Sequence, residues 1–222
     1  MKREEVIKKF LKEEERLKRS FQIKKLEKVP NIIVFLDSSY FNDKIISCFL
    51  FYDFINKITL KKKYLLNKVK FPYIPTYLSL REGEFYIKGL KNEKFDLIVV
   101  DGQGIAHPRK IGVATYLGLK LNKPSIGIAK NLLYGEYNSL GNKRWDLSFI
   151  KDKEGSVLGF ALRTRENTKP IFVSIGNLID IEDILFIIKN LEIKTRIPEP
   201  LREVHLYSKE LKRRIFENIH NR

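Results

Sequence analysis

The sequence predicts an α/β fold, a mixed sheet carrying helices on both faces. Two uninterrupted apolar runs, "NIIVFLD" and "KFDLIVVD", have the character of strands buried on both sides. After the first run come two further strand-like segments, "KIISCFLFYDF" and "KITLKKKYL", with "FINK" as the turn of an antiparallel pair. Later in the chain, strand and helix patterns alternate, as in a sheet built with crossover helices.

Each element follows from its own pattern. Ile7, Phe10, Leu11, Leu17 and Phe21 recur near helical spacing among many charges, which predicts an amphipathic helix over residues 4–28 that Pro30 ends. The three strands follow, and "FPYIP" makes a proline-flanked loop. "TYLSLREGEFYIKGLKN" reads as a helix weakened by Gly83. The next strand closes on Asp101. In "RKIGVATYLGLKL", Ile111, Ala114 and Leu117 share one helical face, and "KPSIGIAK" is a short strand. A glycine-punctuated stretch then holds two strands, "SVLGFAL" and "PIFVSIG". Helices over "IEDILFIIKNL" and "PEPLREVHLYSKELKRRIFENI" complete the order. The two halves need each other for burial, so one domain over residues 1–222 is expected, with a monomer as the default.

Composition bounds the function. Lysine and arginine number 43 against 27 acidic residues, a formal charge of +16. A domain this basic commonly meets a polyanion, most often nucleic acid. A Lys-rich proteome selected for heat gives the competing account of the same charge. No apolar run approaches the roughly 20 residues of a membrane span, and "MKREEVIKKF" lacks the apolar centre of a signal peptide. Cys48 is the one cysteine, so an intrachain disulfide and a cysteine zinc site are excluded. The expected location is the cytoplasm, with no membrane partner.

Two aspartates end the two apolar runs, Asp37 and Asp101. Ligands of open α/β sheets collect beyond the carboxyl ends of the strands. If these strands are neighbours, two carboxylates enter one crevice and repel unless a cation or proton lies between them. A hard divalent ion such as Mg²⁺ suits oxygen ligands. On a basic protein, that site suggests phosphodiester hydrolysis. Taken singly, each aspartate is better read as a strand-end turn residue; the two together bring the readings level. Glu82 shares a helical face with Leu78 and Phe85, which points it inward, where a carboxylate needs a partner; on the residues alone, a surface helix glutamate paired with lysine is the better account.

The strings "FPYIPTYLSLREGE", "VVDGQGIAHPRKIGVATYLGL" and "KPSIGIAKNLLYG", in that order, resemble the endonuclease V family. The resemblance runs from about Asp37 to the final helix. It implies a ribonuclease H-like sheet and a nuclease that recognises deaminated adenine, with Mg²⁺ as cofactor and Mn²⁺ as a substitute. It implies cleavage at the second phosphodiester 3′ to the lesion, leaving 3′-hydroxyl and 5′-phosphate ends, in DNA repair. The partner is then DNA containing deoxyinosine, with inosine-containing RNA as the alternative. Matched position by position, Asp37 and Asp101 are metal ligands, and Glu82, Lys130 and His205 complete the catalytic set. Pro72, Tyr73, Ile74 and Pro75 match the strand-separating wedge, with Tyr73 the main insert. Two prolines hold Tyr73 and Ile74 on stiff backbone. Leu78, Gly102, Gly112 and Gly127 are the expected base pocket, where glycine backbone can approach a flat ligand. Thr76 departs from the pattern, which has a small residue there, often glycine. Arg109 and Lys110 are expected at the start of a helix, facing phosphates, and His107 is expected to shape its loop or touch a phosphate, and not to do chemistry. The rivals are another ribonuclease H-like nuclease and a non-catalytic nucleic-acid binder.

Overall fold

The computed structural model describes residues 3–220. In chain order the elements are α1 (Arg3–Lys18), β1 (Ile32–Phe41), β2 (Lys44–Asp53), β3 (Ile58–Lys68), α2 (Leu78–Leu90), β4 (Leu97–Asp101), α3 (Val113–Leu121), β5 (Ser125–Ala129), β6 (Leu147–Lys151), β7 (Val157–Leu162), β8 (Ile171–Asn177), α4 (Ile181–Asn190) and α5 (Glu199–His220). The strands form one sheet in the order β3-β2-β1-β4-β5-β8-β7-β6. The pairs β1–β4 and β4–β5 are parallel, and the other pairs are antiparallel.

Alternation along the buried strands divides the core into two layers. Ile33 and Phe35 of β1, with Leu97 and Val99 of β4, join a cluster with Ile184 and Ile187 of α4 and Leu201 and Val204 of α5. Val34 and Leu36, with Ile98 and Val100, join the opposite cluster with Phe10 of α1, Tyr86 of α2 and Leu117 of α3. A sheet buried on both faces needs strands without a polar side, which is what the two apolar runs supply.

Four expectations change. First, α1 ends at Lys18, well short of Lys28. The following segment is irregular and tied down through its backbone: Leu178 N–H donates to Gln22 O at 2.8 Å and Leu26 N–H to the Asp183 side chain at Oδ2, 2.6 Å. Second, β1 does not stop at Asp37. It continues to Phe41 because β2 keeps pairing with it, down to Phe41 opposite Lys44. Third, α3 begins at Val113, so Arg109 and Lys110 precede it. Fourth, β6 was not expected. It is a sheet-edge strand with only Ile150 buried, too weak an apolar pattern to read.

Candidate active site

The parallel register of β1 and β4 sets the centre. Leu36 pairs with Val100, so the next residues, Asp37 and Asp101, stand side by side at the carboxyl end of β4. Both continue the alternation of Ile33, Phe35, Leu97 and Val99, toward the face that α5 covers. His205 of α5 completes the group: one ligand atom each from Asp37, Asp101 and His205 lie within 4.8 Å of one another. His205 Nδ1–H donates to Asp37 Oδ2 at 2.9 Å. A carboxylate only accepts, so the proton sits on Nδ1 and, in the neutral ring, Nε2 keeps its lone pair. Ser208, one turn on, places Oγ 3.1 Å from the same Oδ2 and 2.9 Å from the His205 carbonyl. The Asp101 carboxyl is pushed up by burial and then by the Asp37 charge, with Lys130 opposing. Lys130 Nζ is 3.4 Å from Asp101 Oδ2. Its backbone carbonyl accepts from Arg196 Nη2, which also reaches Pro170 O, so the lysine stands on a fixed strand end.

Glu82 approaches differently. It is buried on α2 and lies outside the 4.8 Å donor group. The Tyr40 hydroxyl donates to its Oε1, and the Tyr86 hydroxyl, four residues on, also favours its ionised form. Tyr86 Oη is 2.7 Å from Ser38 Oγ, which ties α2 to β1 beside Asp37. Burial pushes the Glu82 carboxyl up to about 7; the two tyrosines counter this and the Asp37 charge adds to it. Arg81 lies over the Tyr40 ring at 4.2 Å. The sequence alone does not single out Tyr40, Tyr86 or Ser208. The only sequence signals are helical spacings: Tyr86 four after Glu82, and Ser208 three after His205.

Beside this centre runs the proline loop. Pro72, Tyr73 and Pro75 are exposed, Tyr73 at 66%, and Ile74 is half-buried. Arg81 Nη1 donates to the Phe71 carbonyl at one end (3.1 Å). At the other end Thr76 has φ +70°. That left-handed conformation explains why glycine is the expected residue there. His107 is buried and neutral in one defined tautomer: Nε2–H donates to Thr76 O at 3.0 Å, and Nδ1 accepts from Arg109 N–H at 3.2 Å. Arg109 and Lys110 are not left free for phosphates. Arg109 pairs with Glu14, and Lys110 with Asp152.

The four expected pocket residues divide. A Cβ on Gly102 would lie 2.6 Å from Val113 Cγ1 and 3.8 Å from Leu78 Cδ2, so Gly102 and Leu78 are neighbours. A Cβ on Gly112 would meet Gln103 O at 2.3 Å, and on Gly127 it would meet Gly104 N at 2.4 Å. Both glycines therefore let the 102–104 turn lie close against its supports inside the protein.

The donor set fits a hard divalent cation. It has two carboxylates and one imidazole, and the carboxylates' mutual repulsion is opposed by a half-exposed lysine and by His205. Residues 15–206 match the family model described as endonuclease V. The chain belongs to the endonuclease V family. A member of that family is a nuclease. Endonuclease V of Thermosipho melanesiensis is 38% identical over 205 residues, 91% of this chain and 90% of that one. Endonuclease V of Dictyoglomus turgidum is 40% identical over 178 residues, 79% and 78% of the two chains. Among solved structures, endonuclease V of Bacillus subtilis aligns with TM-score 0.89 at 28% identity, covering 98% of this chain and 95% of that one. Endonuclease V of Ciona intestinalis, in complex with a 24mer DNA containing an inosine followed by a ribo-adenosine, aligns with TM-score 0.81 at 26% identity, covering 95% and 99%. The eight-stranded mixed sheet is thus an endonuclease V sheet.

Proposed function

We propose that this endonuclease V is a metal-dependent phosphodiesterase that recognises deoxyinosine in DNA, with inosine in RNA as the alternative substrate. It cuts the second phosphodiester 3′ to the lesion, leaves 3′-hydroxyl and 5′-phosphate ends, and serves DNA repair. Residues 1–222 act as one domain and as a monomer in the cytoplasm. The observation that carries the reading is the Asp37–Asp101–His205 donor cluster at the parallel strand ends of an endonuclease V chain. The Ciona relative's complex with inosine-containing DNA supports the choice of base.

Asp37 and Asp101 would hold Mg²⁺, or Mn²⁺ in its place. When bound, such an ion lowers the pKa of a water nucleophile and offsets charge on the scissile phosphate. His205 and Ser208 both bond Asp37 at Oδ2, which orients the carboxylate and leaves the lone pairs of Oδ1 for the cation. The Nε2 lone pair of His205 accepts a proton from the attacking water. Lys130 offers a point charge to a non-bridging oxygen as charge develops. Glu82, held between Tyr40 and Tyr86, adds negative charge beside Asp37, directly or through water. Tyr73 enters the gap left by the extruded base. Leu78 and the backbone at Gly102 wall the base, while Gly112 and Gly127, expected there too, serve it only by letting the 102–104 turn lie close against its supports.

The test is a duplex with one deoxyinosine, incubated with Mg²⁺ beside an all-adenine duplex and an EDTA control. Cutting of the inosine strand alone, and only with metal, is expected. Equal cutting of both duplexes would make the protein a general nuclease.

A further inference from the structure

Only Phe10 and Glu14 of α1 are fully buried, one helical turn apart on one face. Phe10 meets the rings of Tyr77 and Tyr116, with centroids at 6.4 and 5.5 Å. That contact docks an apolar side chain of the helix on the core. Glu14 does something else. It accepts a forked pair from Arg109, Nε to Oε2 at 2.6 Å and Nη2 to Oε1 at 3.1 Å. The same guanidinium reaches Thr76, with Nη1 to Oγ1 at 3.1 Å and Nη2 to the carbonyl at 2.7 Å. Its face lies 4.3 Å from the centroid of Tyr77. Arg109 therefore bridges α1 to the last residue of the proline loop, at the point where the backbone turns left-handed. A β-branched side chain disfavours that conformation, so surrounding contacts must hold it.

A buried ion pair adds little to stability compared with an apolar contact, but it fixes geometry well when one member is a planar fork. We propose that Glu14, acting through Arg109, is a positioning residue for the strand-separating loop: the pair clamps Thr76 and so sets where Tyr73 stands. The inference rests on the strand-separating reading of that loop. Glu14 lies outside the Asp37–Asp101–His205 donor group and 95 residues from Arg109 in sequence.

The experiment compares nicking of deoxyinosine in a duplex with nicking of deoxyinosine in a single strand, where no strands need parting. The proteins are the wild type, Glu14→Gln, Tyr73→Ala, the double variant, and Glu14→Gln with Thr76→Gly. Glu14→Gln is expected to lower the duplex to single-strand ratio of kcat/KM about tenfold, as Tyr73→Ala does, and the double variant falls no further. Glycine at 76 adopts the left-handed turn unaided and restores much of the ratio. Amide exchange of the 71–77 segment speeds up in Glu14→Gln and slows again with Thr76→Gly. Arg109→Lys, which keeps charge but loses the fork, is the second variant should Glu14→Gln fold poorly by circular dichroism. A wild-type ratio in Glu14→Gln beside an impaired Tyr73→Ala sinks the clamp alone. Equal losses on both substrates, or additive losses in the double variant, also overturn it. An unchanged ratio in Tyr73→Ala overturns the strand-separating reading, and the clamp with it.

Discussion

His205 Nδ1 donates to Asp37 Oδ2 across 2.9 Å, joining α5 to β1 over 168 positions of sequence. The bond makes the last helix part of the centre and orients a carboxylate beside Asp101. It also sets which imidazole nitrogen faces away with a free lone pair.

Asp101→Asn separates stability from activity. Burial and the Asp37 charge both push the Asp101 carboxyl up, so its ionised form is unfavourable without a cation. The neutral isostere removes that repulsion. The metal-free variant should melt higher than the metal-free wild type, while nicking falls at least ~10³-fold. Adding Mg²⁺ or Mn²⁺ should raise the wild-type melting temperature and leave the variant's nearly unchanged. Calorimetry with and without EDTA reads both effects.

Two buried groups titrate in opposite senses. Burial pushes Glu82 up from 4.5 to about 7. An acid raised on folding favours the fold below its unfolded pKa, and that contribution is lost as pH rises through about 7. His107 is pushed down from 6.5 to about 4 by burial and then by Arg109. Its contribution is full above 6.5 and is lost as pH falls through about 4. Each displacement corresponds to roughly 3 kcal/mol, so the two nearly cancel over the shared window. Glu82→Gln should unmask His107: without metal, stability climbs by about 3 kcal/mol between pH 4 and 6.5. His107→Asn should unmask Glu82, with stability falling between pH 4.5 and 7. Urea midpoints across a pH series measure both slopes, and the same sign in both variants would contradict the assignment.

Tyr73→Ala should leave the fold alone. The ring is 66% exposed, so its removal should change stability by no more than about 0.5 kcal/mol. Duplex nicking should nonetheless drop at least ~10-fold if the ring parts the strands, a loss of about 1.4 kcal/mol in transition-state binding. Rates on matched duplexes, beside a denaturation curve, check the pair of outcomes.

Gly127→Ala tests the underside of the 102–104 turn. The new Cβ would lie 2.4 Å from Gly104 N and 2.6 Å from Gly102 O. Backbone cannot swing aside as a flexible side chain does, so a loss at the upper end of overpacking, about 3 kcal/mol, is expected. Gly155→Ala meets nothing within 4 Å and bears only its φ of +83°, a cost of about 1 kcal/mol. Comparable melting temperatures for the two variants would show that the turn can yield.

The parts of this protein that were legible in sequence are those with local causes. Two apolar runs ending in aspartate gave a metal site on the condition that their strands are neighbours, and the parallel register meets it by bringing Asp37 level with Asp101. Helical spacing alone pointed Glu82 inward. Lys130 and His205 carry no local signal strong enough to outweigh a solvated lysine and a packed histidine, and only the motif singled them out. Arg109 and Lys110 were misread for a physical reason. Basic residues in a glycine-rich turn look free until the tertiary fold brings Glu14 and Asp152 to them. Glu14 did leave a trace, standing four residues after Phe10 and three before Leu17 on the inward stripe of α1. The partners of Glu82 come partly from another element, Tyr40 of β1, which no spacing rule connects to it.

The most direct test of the central claim uses a duplex labelled at the 5′ end of the strand that carries one deoxyinosine. The protein is incubated with Mg²⁺, and the product is sized against a ladder, with Asp101→Asn in parallel. One fragment ending one nucleotide beyond the inosine and bearing a 3′-hydroxyl is expected from the wild type, and none from the variant. A ladder of cuts along the strand, or the same fragment from Asp101→Asn, would contradict it.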